Sequence, residues 1–149
     1  MSVSYDIFTD GFLYKVNEYD LIDLAEDEAE AVVDAYMKKA IAEFRYICEY
    51  DLVSTADDDY REFDVDIADE DIYEIVDIVS EGMLVQWLKP YIYRQELIQN
   101  VLNTSDFSTY SPAELVYRLR EVYEKAQKDF TQAMREYSYN HGRLDNLHI

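Results

Sequence analysis

The residues from Asp69 to Pro90, DEDIYEIVDIVSEGMLVQWLKP, constrain this chain more than any other stretch. Apolar side chains recur at Ile72, Ile75, Val76, Val79, Met83 and Trp87, the three-and-four spacing of one helical face, and Ile78, Gly82, Val85 and Leu88 widen that face. The spacing predicts a buried helix over 69–89 with Trp87 in the core. Asp69, Glu70 and Asp71 stand where the helix macrodipole favours negative charge, and Pro90, which lacks an N–H, is expected to stop or kink the helix. No catalytic set of side chains lies on it.

The flanking patterns are helical as well. Ala29, Val32, Val33, Tyr36, Met37, Ala40, Ile41, Phe44, Ile47 and Cys48 form a stripe that predicts a helix over 24–50, with Asp23 as N-cap and Glu26, Asp27 and Glu28 in its first turn. SVSYDIFTDGFLYKV carries a weaker pattern, interrupted by Gly11, and reads as a short helix. After Pro90, YIYRQELIQNVLN reads as a second short helix leaving the first at an angle, and TSDFSTY breaks it. Ser111, Pro112 and Glu114 then form a capping box with proline at the first helical position, opening a helix over 112–140 that ends near His141 and Gly142. At about 43 Å it is longer than a compact domain of this size requires, so part of it is expected to pack against something else.

These elements define an all-α class: a single domain over 1–149, a small helical bundle with a long C-terminal helix, an acidic extended loop between the second and third helices, and a C-terminal arm over 141–149. In the arm, Leu144, Leu147 and Ile149 follow the helix-ending Gly142 and are too few to fold as a helix of their own. They need a partner surface, either this subunit or a neighbour. With Tyr139, His141 and Arg143 they are the candidate interface residues.

Charge is distributed unevenly. The net charge is -20; residues 1–80 hold 24 acids against 5 basic residues, whereas residues 81–149 hold 9 against 8. Such a field repels phosphate and disfavours ordinary nucleic-acid binding. The 15 Tyr, 6 Phe and 1 Trp argue against disorder, because disordered acidic chains are poor in aromatics. Within the connection 51–68, Phe63, Val65 and Ile67 alternate with Asp64 and Asp66, a strand's period of two. No second strand is evident, so the expectation is a solvated, mobile loop unless another subunit or loop covers its edge. Asp57, Asp58, Asp59, Asp64 and Asp66 are the candidate acidic surface.

The chemistry that such residues could support is limited. A calcium loop starting at Asp64 meets Ala68 at position 5 and Asp69 where Gly is required, and the register starting at Asp57 fails at Arg61 and Glu62. His141 and His148 have no second pair of ligands for zinc, and 3 glycines cannot build a phosphate-cradling loop. Cys48 stands alone, which excludes an intrachain disulfide and fits an intracellular origin. MLVQWL is too short to span a bilayer, and no leader pattern opens the chain. The residues point to no reaction, metal or cofactor.

The succession DIFTDGFLYKV, LIDLAEDEAEAVVDAYMKKAIAEF, EFDVDIADEDIYEIVDIVSEGMLVQWLKPYI and DFSTYSPAELVYRLREVYEKAQKDF resembles the small helical head-to-tail connector, or adaptor, proteins of long-tailed bacteriophages of Gram-positive hosts. The resemblance implies a structural virion protein rather than an enzyme. Its copies would form a ring of about a dozen subunits under the portal, touching other neck or tail proteins and letting DNA pass without specific binding. It would assemble in the host cytoplasm and need no membrane. The run Asp57–Asp66 is more acidic than that resemblance leads one to expect. Two other functions suit the charge and size: an acidic DNA-mimic inhibitor of a nuclease or restriction enzyme, and another tail or baseplate component.

Overall fold

A computed structural model describes residues 2–93 and 112–141. The chain runs β1 (Val3–Ser4), α1 (Asp6–Glu18), α2 (Ile22–Ala25), α3 (Glu30–Phe44), β2 (Ala56–Asp57), β3 (Glu62–Phe63), α4 (Asp69–Tyr93) and α5 (Pro112–Asn140). This is the expected small all-α architecture with a long last helix. The three strands form only a two-residue clip.

α4 is the axis of the bundle, with α1, α3 and α5 all packed against it. Ile75, Ile78, Val79, Met83, Leu84, Trp87 and Leu88 are buried, so the apolar run faces neighbours on several sides rather than along one stripe. Gly82 shows how close the approach is. A Cβ built there would lie 2.7 Å from the Ala40 Cβ of α3 and 2.9 Å from the Phe130 ring of α5. Trp87 is 0 % exposed and meets Phe12 edge-on at 5.7 Å and Tyr91 at 6.2 Å between ring centroids.

α1 ends in a Schellman motif. The Leu21 N–H donates to the Val16 carbonyl at 3.2 Å and the Asp20 N–H to Asn17 at 3.0 Å, while Leu21 and Val16 are both buried. The left-handed position is filled by Asp20 at φ 60 rather than by glycine. Lys15 ties α1 to α4 through Asp77 at 2.7 Å and Glu81 at 3.2 Å. Burial raises the Glu81 carboxyl even though Lys15 pulls it down, and its Oε2 is buried with no hydrogen-bond partner among the described residues.

The structure corrects the sequence-based boundaries at three places. The helix expected over 24–50 is divided: Asp23 lies inside α2, and α3 starts at Glu30 after Ala29, whose ψ of 145 is extended. α2 packs on α1 whereas α3 packs mainly on α4, so the chain must turn between them. After Phe44 the backbone leaves the helix in a turn, with the Cys48 N–H bonded to the Phe44 carbonyl at 3.1 Å. Pro90 does not end α4, which continues to Tyr93; only the Gln86 carbonyl loses its intrahelical donor.

The third correction concerns the extended segment, which is neither unpaired nor loose. β3 pairs antiparallel with β1 (Val3↔Phe63) on one side and β2 (Ala56↔Phe63) on the other. Both edges that the sequence left open are covered by this same chain. The alternation holds: Phe63 and Ile67 are buried and Val65 is half-buried, while Asp64 and Asp66 are exposed.

α5 is packed along its length, with buried positions from Leu115 and Leu119 to Tyr137 and Ser138. Its apolar face is covered within the subunit by α4, while Tyr117 and Tyr139 stay exposed on the rest of the helix. The short helix expected after Pro90 falls outside the described residues beyond Tyr93, as do Ser111 of the capping box and Arg143, Leu144, Leu147 and Ile149 of the arm.

Candidate functional site

The acidic hairpin β2–β3 is the feature that the core does not explain. Its four-residue loop turns on Asp57, whose Oδ1 accepts the Asp59 N–H at 3.0 Å and the Tyr60 N–H at 3.3 Å. The loop closes through Arg61 at φ 51, a left-handed position uncommon for any residue but glycine and held here by its surroundings.

Those surroundings are a clamp. Arg61 Nε and Nη2 donate to the two oxygens of Asp34 at 2.8 and 2.9 Å, and Nη1 donates to Asp6 at 2.7 Å. Glu30 adds a fourth contact at 3.3 Å. The fork geometry suits a guanidinium, and the carboxylates hold it firmly charged. On the backbone, the Arg61 carbonyl accepts the Tyr5 N–H at 2.9 Å, so one residue fastens the hairpin to α1, α3 and the N-terminal strand. Arg61 is the one cation between Arg45 and Lys89, and that isolation among acids is the signal by which the sequence could have revealed it.

Arg61→Ala is expected to destabilise the fold by about 2–3 kcal/mol, because Asp34, 14 % exposed at its side chain, loses a bidentate partner. Arg61→Lys should recover part of this, lacking only the fork. Urea unfolding checks both; a loss under about 0.5 kcal/mol for the alanine variant contradicts the clamp.

Around this clamp the five candidate acids divide. Asp58 accepts hydrogen bonds from Lys38 Nζ at 2.5 Å and from the Tyr5 hydroxyl at 2.7 Å, and Lys38, then Tyr5, lowers its carboxyl below the ordinary range. Asp57 is half-exposed and held by its turn. Asp59, Asp64 and Asp66 are exposed and form no ion pair among the described residues. The groove of about 390 Å³ beside the clamp is lined by Glu30, Asp34, Lys38, Asp58 and Arg61, charges already paired with one another.

Of the candidate interface residues, Tyr139 is 67 % exposed. His141 is engaged within the chain instead. Its Nδ1 lies 3.1 Å from Glu49 Oε2 and its Nε2 2.8 Å from Glu74 Oε1, and its ring stacks on Tyr137 at 4.0 Å. Tyr137 is itself buried, meets Phe44 edge-on at 4.9 Å and accepts the Glu49 N–H at 3.1 Å through its hydroxyl. Two carboxylates facing two ring nitrogens favour the doubly protonated imidazolium.

Burial lowers the His141 pKa, but Glu74 and Glu49 outweigh it and the net shift is upward. A raised folded value means that the stabilisation is complete below the ordinary histidine range near about 6.5 and is lost as pH rises through the folded value. His141→Gln is thus expected to lower stability by about 1 kcal/mol at pH 6, the half-exposed glutamates being screened by solvent, and by progressively less above the folded pKa. Thermal melts of both proteins across pH 5–9 test this; a gap that widens with pH contradicts it.

Among the described residues no three His, Cys, Asp or Glu side chains are grouped to hold a metal ion, and no helix is long and apolar enough to cross a membrane. No protein-family model, curated protein or solved structure matches this chain.

Proposed function

We propose that this chain is a non-enzymatic structural subunit of a virion, an adaptor whose copies form a ring between the portal and tail of a long-tailed bacteriophage, with DNA passing through the centre. The observation that carries this reading is an acidic surface held on a pinned frame. Asp59, Asp64 and Asp66 are exposed and have no cation partner among the described residues, on a hairpin segment fastened by Arg61, Lys38 and a three-stranded clip. A channel that must pass DNA without gripping it is served by carboxylates that repel phosphate and do not move to meet it. Repetition around a ring would multiply that field, with Asp57 and Asp58 at the same rim.

The near-neutral second half of the chain would face protein instead. Leu144, Leu147 and Ile149, with Tyr139 and Arg143 beside them, would reach the portal, an adjoining subunit or another neck or tail protein. Burying side chains of this size contributes about 1.5–3 kcal/mol each, which a ring repeats in every subunit. No cofactor or membrane has a role in this reading.

The size of the protein in solution tests it. Sedimentation velocity should find a closed assembly of about a dozen subunits. A monomer that forms a one-to-one complex with a DNA-cleaving enzyme would overturn the adaptor and favour a DNA mimic.

A further inference from the structure

The two ends of α4 carry charged groups of opposite sign that make no ion pair among the described residues. At its C-terminal end a groove of about 660 Å³ is lined by Lys39 and Ala42 of α3 and by Gln86, Lys89, Pro90 and Tyr93 of α4. Lys15, Lys38 and Arg61 are each ion-paired, and Arg45 lies over the Tyr46 ring and bonds its hydroxyl. Within 2–93 that leaves Lys39 and Lys89, both exposed and without an ion pair among the described residues, and both line this groove. Beside them the Gln86 carbonyl lacks the N–H that a residue other than Pro90 would supply.

At the N-terminal end of the same helix the deficits are reversed. Asp69 and Glu70 are exposed and make no ion pair among the described residues. The Asp71 and Ile72 amides donate to the Ala68 carbonyl at 2.9 and 3.1 Å, which leaves the Asp69 and Glu70 amides as the donors that a helix start cannot pair internally. Glu70 and Lys89 are about 28 Å apart along the axis, so no single molecule can join them.

We infer that the Lys39/Lys89 groove receives the first turn of α4 from a second copy of this chain. Carboxylates of Asp69 and Glu70 pair with the two ammonium groups, and a first-turn amide faces the Gln86 carbonyl. Glu43 also lines the groove and disfavours a deeper acidic insertion, which limits the contact to this one turn. The surfaces differ and lie at opposite ends of the subunit, so the contact is head-to-tail, the kind that closes into a ring when the rotation permits. Matched charge is required here because subunits of net charge -20 otherwise repel. The inference rests on the ring reading and supplies its subunit contact; the hairpin acids remain free for the channel.

Charge exchange tests it by sedimentation equilibrium of the full chain. K39E/K89E and D69K/E70K should each weaken self-association by about 100-fold, and their one-to-one mixture should return to within about tenfold of the unaltered protein, since the reversed groove then meets the reversed helix start. D69N/E70Q, which places no cation at a helix start, guards against loss of fold and should weaken association in the same direction; circular dichroism confirms folding. If the unaltered protein forms a ring and all three variants do too, the contact is overturned while the ring stands. A protein that stays monomeric at every concentration overturns the ring and this contact together.

Discussion

Replacing Trp87 by alanine is expected to destabilise the protein by about 3–5 kcal/mol, a large share of the stability of a domain this size. The indole is 0 % exposed, edge-on to Phe12 of α1 and packed on Tyr91 one turn on, so its removal opens a cavity where two helices cross. Its N–H meets no well-aligned acceptor among the described residues; burial raises the nearby Glu28 carboxyl and the indole N–H offsets that in part. Trp87→Phe keeps an aromatic ring against Phe12 but leaves part of the cavity, so it should cost clearly less than the alanine variant. Chemical denaturation of the two variants separates shape from polarity. Equal losses would show that the N–H matters more than the packing.

Gly82→Val is expected to cost more than about 3 kcal/mol, the upper end of overpacking. Even a Cβ at this position meets Ala40 on one side and the Phe130 ring on the other within 3 Å, so relief in one direction increases the clash in the other. Gly82→Ala should cost less, since alanine returns about 1 kcal/mol of helix propensity. Adding Ala40→Gly to Gly82→Ala removes one of the two obstacles and should restore part of the loss despite placing glycine in α3. Urea midpoints decide this. A Gly82→Val protein as stable as the unaltered one would mean that α3 and α5 do not converge on α4.

Much of this architecture was legible because the burial period dominated over long windows. The runs leading to α4 and α5 are read correctly, as is Trp87 at the centre, and the alternation of Phe63, Val65 and Ile67 with Asp64 and Asp66 marks the two sides of the hairpin segment. Legibility failed where burial changes direction without changing composition. Leu21 and Ala25 are apolar at helical spacing with Val33 and Met37, yet the first pair belongs with α2 on α1 and the second with α3 on α4. Strands of two residues, such as Val3–Ser4, are too short to show a period. Arg61 and His141 were harder still, because their roles depend on carboxylates 27 to 92 positions away that only the fold brings together.

Whether the pinned acids face a channel is the central question, and electron cryo-microscopy of the assembled protein answers it most directly. The predicted result is a closed ring with an open centre wide enough for duplex DNA, Asp59, Asp64 and Asp66 of every subunit lining that opening. A ring with these carboxylates on its outer rim, or buried against basic residues of a neighbour, would contradict the account.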